Sequence, residues 1–392
     1  MLGTSERPKK VVLVANTSWN IHNFRRRLIT QLLERGVEVY VLAPYDNYSK
    51  NLGKIHYIEL PMDRQSTHPL RETCLLARLI CIFYIVRPDV ILSYTPKCNI
   101  YAAIGARVLG IPIITNISGL GTAFIRRSWL TRVVKYLYRV ALKGSVRVFF
   151  QNRDDQRLFL DNGLVSAERA RLLPGSGVDL QRFSPAPVPA DGSGAFVFLC
   201  VARMLKDKGI EELVEAVKLL KPRYPHLECR LLGFLDVQNP SAIGAELLQA
   251  WVAEGTVDYL GSSDNVVDPL RHCDCVVLPS YREGTPRSLL EAASVGKPIV
   301  TTDAVGCRET VEDGVTGLLC RVRDAVDLKD KMEKMLRLSE PERAAMGAKG
   351  REKMQREFDE RIVIDRYLET ISEILEERCR SAAELCEAKR SA

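Results

Sequence analysis

Residues 275–292 read Cys-Val-Val-Leu-Pro-Ser-Tyr-Arg-Glu-Gly-Thr-Pro-Arg-Ser-Leu-Leu-Glu-Ala. The apolar run Cys275 to Leu278, closed by Pro279, reads as a short buried strand. Pro286 suits the first turn of a helix, because its missing N–H is one that a helix start leaves unbonded anyway. Glu283 then lies on a loop and Glu291 inside a helix. If the stretch were helical throughout, eight residues would span about 12 Å. A glycosidase acid/base pair needs carboxyls about 5–10 Å apart across one bond, so the spacing argues against hydrolysis. It better suits two contacts at opposite ends of one elongated ligand, with the backbone of Gly284, Thr285, Pro286 and Arg287 meeting phosphates between them.

The same strand-then-helix rhythm runs outward in both directions. Upstream, strands are expected at 11–15, 37–43, 90–93, 111–115 and 146–150, with helices at 23–34, 69–86, 99–109 and 126–143. Residues 183–194 carry three Pro, two Gly and little apolar content, and read as a linker. The rhythm restarts with strands at 195–201, 227–232, 257–260, 275–278 and 298–301, and the chain ends in charged helices. This alternation predicts two parallel, doubly wound α/β domains facing a central cleft, at residues 1–182 and 195–355. Helices at 356–392 are expected to return to the first domain.

The chain has 392 residues, 46% hydrophobic and 27% charged, which excludes disordered and fibrous classes. No apolar run approaches the ~20 residues of a membrane-spanning helix. The first ten residues lack the apolar core of a secretory leader. Eleven Cys follow no framework, which fits a reducing cytoplasm and predicts no structural metal. Charge is divided unevenly. Residues 1–190 hold 27 Lys+Arg against 13 Asp+Glu, a net +14, and the remainder is −7. The first half should therefore face something anionic, either nucleic acid or a membrane surface.

Dinucleotide, P-loop and nucleophile-elbow signatures are absent: Asn16 to His22 follows the first strand where a glycine-rich turn would stand. After strand 195–201 come Arg203 and Lys208, with a helix beginning near Gly209. Two cations at a strand's end beside a helix start make an anion site.

Glu283-x7-Glu291 together with Arg203-x4-Lys208 resembles the retaining family 4 glycosyltransferases of the GT-B fold. Gly177-Val-Asp179 with Phe183, and the loop from Val305 to Gly317, are similar to further stretches of that family. Ser18-Trp19-Asn20, Phe24-Arg25 and Gly119-Leu120-Gly121 resemble bacterial enzymes that extend polyprenyl-diphosphate-linked oligosaccharides. The resemblance implies a nucleotide-sugar donor, UDP-linked, a saccharide or lipid-linked acceptor, retention, and no metal or other cofactor. By it, Arg203 and Lys208 would hold the donor diphosphate, Glu283 the sugar hydroxyls and Glu291 the ribose. Trp19, Asn20, Ser118 and Gly119 would line the acceptor side. Ser118 stands where many relatives carry a His, and Ser18-Trp19-Asn20 replaces their Gly-Gly.

Arg132, Lys135, Arg139 and Lys143 recur at three- and four-residue steps and share a helix face. With Trp129 and Leu130 before them, they read as an anionic-membrane contact on the cytoplasmic side. No nucleic-acid-binding module is recognisable. Two other readings of the same fold are a nucleotide-sugar epimerase and a non-catalytic nucleotide-sugar-binding subunit.

Overall fold

A computed structural model describes residues 7–63, 68–120, 129–186, 194–235 and 239–390. The chain divides into two compact units, Met1–Ser176 with Val363–Ala392, and Gly177–Ile362.

The first unit runs β1 (Lys10–Val14), α1 (Ser18–Glu34), β2 (Glu38–Ala43), β3 (His56–Glu59), α2 (Pro69–Val86), β4 (Val90–Tyr94), α3 (Pro96–Val108), β5 (Ile113–Ile117), α4 (Trp129–Leu142), β6 (Ser145–Phe150), α5 (Arg153–Asp161) and β7 (Ala170–Leu172). Its sheet has the order β3-β2-β1-β4-β5-β6-β7, with every pairing parallel. Alternate residues of β1 serve the two faces. Val11 and Leu13 pack under α1, and Val12 and Val14 under α2, α3 and α4. Burial on both faces is why these strands read as continuous apolar runs rather than as alternation.

The second unit runs β8 (Phe196–Val201), α6 (Ile210–Leu220), β9 (Leu227–Leu232), α7 (Ala245–Ala253), β10 (Asp258–Tyr259), α8 (Val267–Arg271), β11 (Cys275–Leu278), α9 (Arg287–Ser294), β12 (Ile299–Thr302), β13 (Gly317–Cys320), α10 (Ala325–Arg337) and α11 (Glu340–Lys353). Its parallel sheet is ordered β10-β9-β8-β11-β12-β13.

A π-turn at Met354–Phe358 leads into α12 (Glu360–Arg390). The units divide at Gly177 and Val363, not at the expected 183 and 356. Val178 donates its N–H to the Phe358 carbonyl at 2.9 Å, and Glu360 donates back to Val178 at 3.1 Å. Phe183, placed by the sequence in the linker, is buried in the core of the second unit. The segment from Val178 to Phe183 therefore belongs with the second unit. Residues 187–193 of the expected linker lie outside the described residues.

Val363, Tyr367, Ile371 and Leu375 of α12 are buried in the core of the first unit, together with β1, β2 and β4. The seat is partly polar. Arg25, 3% exposed, stacks 4.2 Å from the Tyr94 ring and 6.0 Å from that of Tyr367. Asn116 donates to the Tyr367 hydroxyl at 2.7 Å. Aromatic faces partly compensate the desolvated guanidinium.

Candidate functional site

In each sheet the strand order reverses direction at its first strand, and open α/β sheets bind ligands at the carboxyl ends of the strands beside such a point. In the second unit that point lies between β8 and β11, which pair at Cys275–Phe198 and Val276–Leu199. The loops leaving these two strands carry Arg203, Lys208 and Glu283.

After β8 the chain makes a single 3-10 turn, Lys206–Lys208, and enters α6 through Gly209 at φ +73°. A Cβ on Gly209 would stand 2.1 Å from the Pro279 carbonyl oxygen, so only glycine allows this approach. The two loops are then tied together. Tyr281 N–H donates to the Asp207 carbonyl at 3.0 Å, and the Ser280 hydroxyl, 3.1 Å from the same carbonyl, shares its one proton between it and Glu283.

The result is a preorganised pair. The Lys208 ammonium forms an ion pair with Glu283 Oε1, the oxygen that also accepts the Ser280 hydroxyl at 2.8 Å. Both side chains are largely buried, at 19% and 13% exposure. Glu283 N–H donates to Val305 at 2.9 Å, which ties its loop to the following one. Arg203 stands exposed at the same strand end.

Pro286 is the N-cap of α9, with φ −71° and ψ 110°, so the helix begins one residue later than expected. Its carbonyl accepts from Leu289 and Leu290, while its own lack of an N–H costs nothing there. Gly284 and Pro286 are buried and Thr285 and Arg287 half-buried at this helix start, whose dipole favours anions. Glu291 is buried in α9, with Arg287 Nε 2.8 Å from its Oε1. Burial pushes its carboxyl upward from the ordinary range, opposed by the cations Arg287 and Arg182.

Sequence reasoning missed the supporting residues. Ser280 shares the Glu283 oxygen with Lys208, and its hydroxyl in the quoted loop was the available signal. Tyr281 donates to Glu212, and Arg323, at φ 59°, lies 4.5 Å over its ring. Glu212 lies in α6 and the other two in separate loops, and no local pattern joins them.

In the first unit, Trp19 and Asn20 lie in the opening turn of α1, not in a loop as expected. The Thr17 hydroxyl caps the helix by accepting from Asn20 N–H at 3.0 Å, and Asp46 accepts from Trp19 N–H at 3.0 Å. His22, also expected in that loop, falls within α1. Ser118 and Gly119 follow β5 at the carboxyl edge, Gly119 with φ 124°. On α4 and just beyond it, Arg132, Arg139 and Lys143 are exposed and Lys135 is half-buried. Lys135 Nζ and Arg139 Nη2 both donate to Asn162, at 2.9 and 2.8 Å. Gly121, Arg126 and Arg127 lie outside the described residues. Among those residues no group of three or more His, Cys, Asp or Glu could hold a metal ion.

The family profile Glycosyl transferases group 1 matches residues 188–353, and Glycosyl transferase 4-like domain matches residues 21–175. A Campylobacter jejuni protein is 28% identical over 93% of this chain and 99% of its own. It is named N,N'-diacetylbacillosaminyl-diphospho-undecaprenol alpha-1,3-N-acetylgalactosaminyltransferase. An Escherichia coli protein named UDP-Gal:alpha-D-GlcNAc-diphosphoundecaprenol alpha-1,3-galactosyltransferase is 25% identical over 60% of this chain and 63% of its own. Anabaena HepE, solved with UDP and glucose, superposes with a TM-score of 0.75 over 93% of this chain and 99% of its own, at 20% identity. The two sheets with their reversal points have the architecture of such structures, and the profiles divide the chain between them. The chain belongs to the glycosyltransferases of the GT-B fold, its first half a glycosyl transferase 4-like domain and its second a glycosyl transferases group 1 domain.

Proposed function

We propose that this glycosyltransferase moves a sugar from a UDP-sugar to a polyprenyl-diphosphate-linked saccharide, with retention and without a metal, on the cytoplasmic face of a membrane. The observation that carries the donor side is the Lys208–Glu283 pair at the reversal point of the second sheet. The names of the Campylobacter and Escherichia relatives support the acceptor class, and the UDP held by HepE supports the nucleotide.

In this reading Lys208 and the exposed Arg203 meet the donor diphosphate, and the N-terminal end of α9 at Gly284–Arg287 adds its dipole. The bond from the anomeric carbon to the phosphate oxygen breaks as the bond to the acceptor oxygen forms on the same face. The acceptor proton passes to the departing phosphate oxygen. Negative charge grows on that phosphate, and fixed cations stabilise it without reorganising. Glu283 orients sugar hydroxyls, and Glu291 with Arg287 faces the ribose. Trp19, Asn20, Ser118 and Gly119 would meet the acceptor from the first unit.

The test is a panel of UDP-sugars with a lipid-linked saccharide, run with EDTA in the buffer. UDP release and a product of unchanged anomeric configuration are expected. Loss of transfer in EDTA, restored by Mg²⁺ or Mn²⁺, would overturn metal independence. An inverted product would overturn retention.

The membrane contact is assigned to Arg132, Lys135, Arg139 and Lys143. Each basic residue near an anionic leaflet is worth about 1 kcal/mol. Replacing all four by Gln should weaken co-sedimentation with anionic liposomes and leave UDP affinity unchanged. A quadruple variant that sediments like the parent would show this face to be merely solvated.

A further inference from the structure

Helix α2 is apolar on two sides. Leu75, Leu79, Phe83 and Val86 enter the core of the first unit. On the outer side Leu70, Cys74, Ala77, Cys81 and Tyr84 follow one another at four- and three-residue steps, all exposed, with Ile85 beside them. Leu70, Tyr84 and Ile85 are 71%, 64% and 77% exposed. The stripe is about 21 Å long. A helix normally turns a polar face to water, and an exposed apolar face marks something that covers it. Among the described residues no helix is long and apolar enough to cross a membrane, so whatever covers this face lies along the helix rather than around it.

At the N-terminal end of the stripe is a cavity of about 670 Å³. Pro61, Met62 and Asp63, which follow β3, form one wall, and Lys97 at the start of α3 forms another. It therefore lies at the carboxyl edge of the first sheet. Leu70, Cys74 and Leu75 line it as well, so the cavity and the stripe are continuous. Three cations, Arg71, Arg78 and Lys97, face two carboxylates, Asp63 and Glu72. Lys97 holds Glu72 at 2.7 Å and Arg71 holds Asp63 at 3.3 Å. Arg78 has no carboxylate partner among the described residues. Glu72 is the single acid of α2 and turns to Lys97, so no negative charge interrupts the outer face.

A pocket with one uncompensated cation, opening onto a long apolar track, is complementary to an amphiphile with an anionic head. We propose that the cavity takes the diphosphate of a polyprenyl diphosphate and that the outer stripe of α2 carries its first isoprene units. The assignment rests on the lipid-linked acceptor reading above and locates that acceptor's anchor.

The native cysteines report on it directly. Cys74 lines the cavity, Cys81 lies on the track, and Cys379 is exposed on α12. Maleimide labelling of the full chain is followed at each by mass spectrometry, with farnesyl diphosphate, inorganic pyrophosphate or phosphatidylglycerol vesicles as probes. At farnesyl diphosphate concentrations about ten times its Kd, labelling of Cys74 and Cys81 should slow about tenfold. Cys379 should be unaffected, and pyrophosphate should protect Cys74 less. Arg78→Glu, a surface change, should abolish the protection while Cys379 reacts as before.

Unchanged labelling with farnesyl diphosphate would overturn the proposal. So would equal protection of Cys74 by pyrophosphate with Cys81 untouched, which would make this a phosphate site without a track. Protection by vesicles alone would make α2 a plain membrane contact and overturn it too. Labelling does not depend on sugar transfer, so failure here is distinguishable from failure of the proposed reaction.

Discussion

Lys208→Ala should lower turnover by about 10²–10³ while leaving the fold intact, the scale for removing one preorganised electrostatic stabiliser. The ammonium ion-pairs with Glu283 and is only 19% exposed, so little solvent is present to take over its charge. The truncation costs twice. On the proposed reading it removes a cation from the growing phosphate charge, and it deprives Glu283 Oε1 of its ion-pair partner. Turnover with a saturating UDP-sugar, beside thermal unfolding and circular dichroism, separates chemistry from folding. A correctly folded Lys208→Ala protein with near-parental turnover would remove Lys208 from the reaction.

Gly306→Ala should be nearly as damaging for a purely steric reason. Gly306 has φ +80°, and a Cβ there would lie 2.4 Å from the Gly284 carbonyl oxygen and 2.5 Å from that of Glu283. Both obstacles are backbone, so the loop bearing Glu283 must move. A displacement of about 1 Å at a reacting group can cost 10² in rate. Stability should fall by about 2 kcal/mol, from the left-handed backbone and the clash together. Gly314→Ala is the matched control. Its φ is +75°, but nothing lies within 4 Å of the added Cβ. It should lose about 1 kcal/mol of stability and keep its turnover. If the two variants turned over equally, the close approach at Gly306 would have no bearing on Glu283.

The site was legible wherever its parts are neighbours in the chain. Glu283 and the helix after Pro286 follow one another in a single stretch, so residue type and spacing brought them out, while Ser280 in the same loop was passed over. The opening turn of α1 was misread because Ser18, Trp19 and Asn20 resemble loop residues until Thr17 is recognised as the cap. Strands β3, β7 and β13 escaped notice because edge strands of three or four residues carry too little apolar pattern to stand out from a loop. The clamp of Tyr281, Glu212 and Arg323 was invisible for a different reason: its members are scattered over more than a hundred residues.

By itself the sequence determined the α/β alternation, the two-part build and which residue types the quoted loop carries. Buried parallel strands must be short apolar runs, and the turns after them must hold whatever the fold offers a ligand. Only the tertiary structure decided which of those turns meet. Lys208 reaches Glu283 because β8, paired with its chain neighbour β9 on one side, takes the distant β11 on the other. Gly209 permits that contact because nothing larger fits against Pro279. The return of α12 to the first unit depends on Tyr367 finding Asn116 and Arg25, across about 250 and 340 residues. Contacts at that separation depend on the relative order and register of whole elements, which no local window of residues contains.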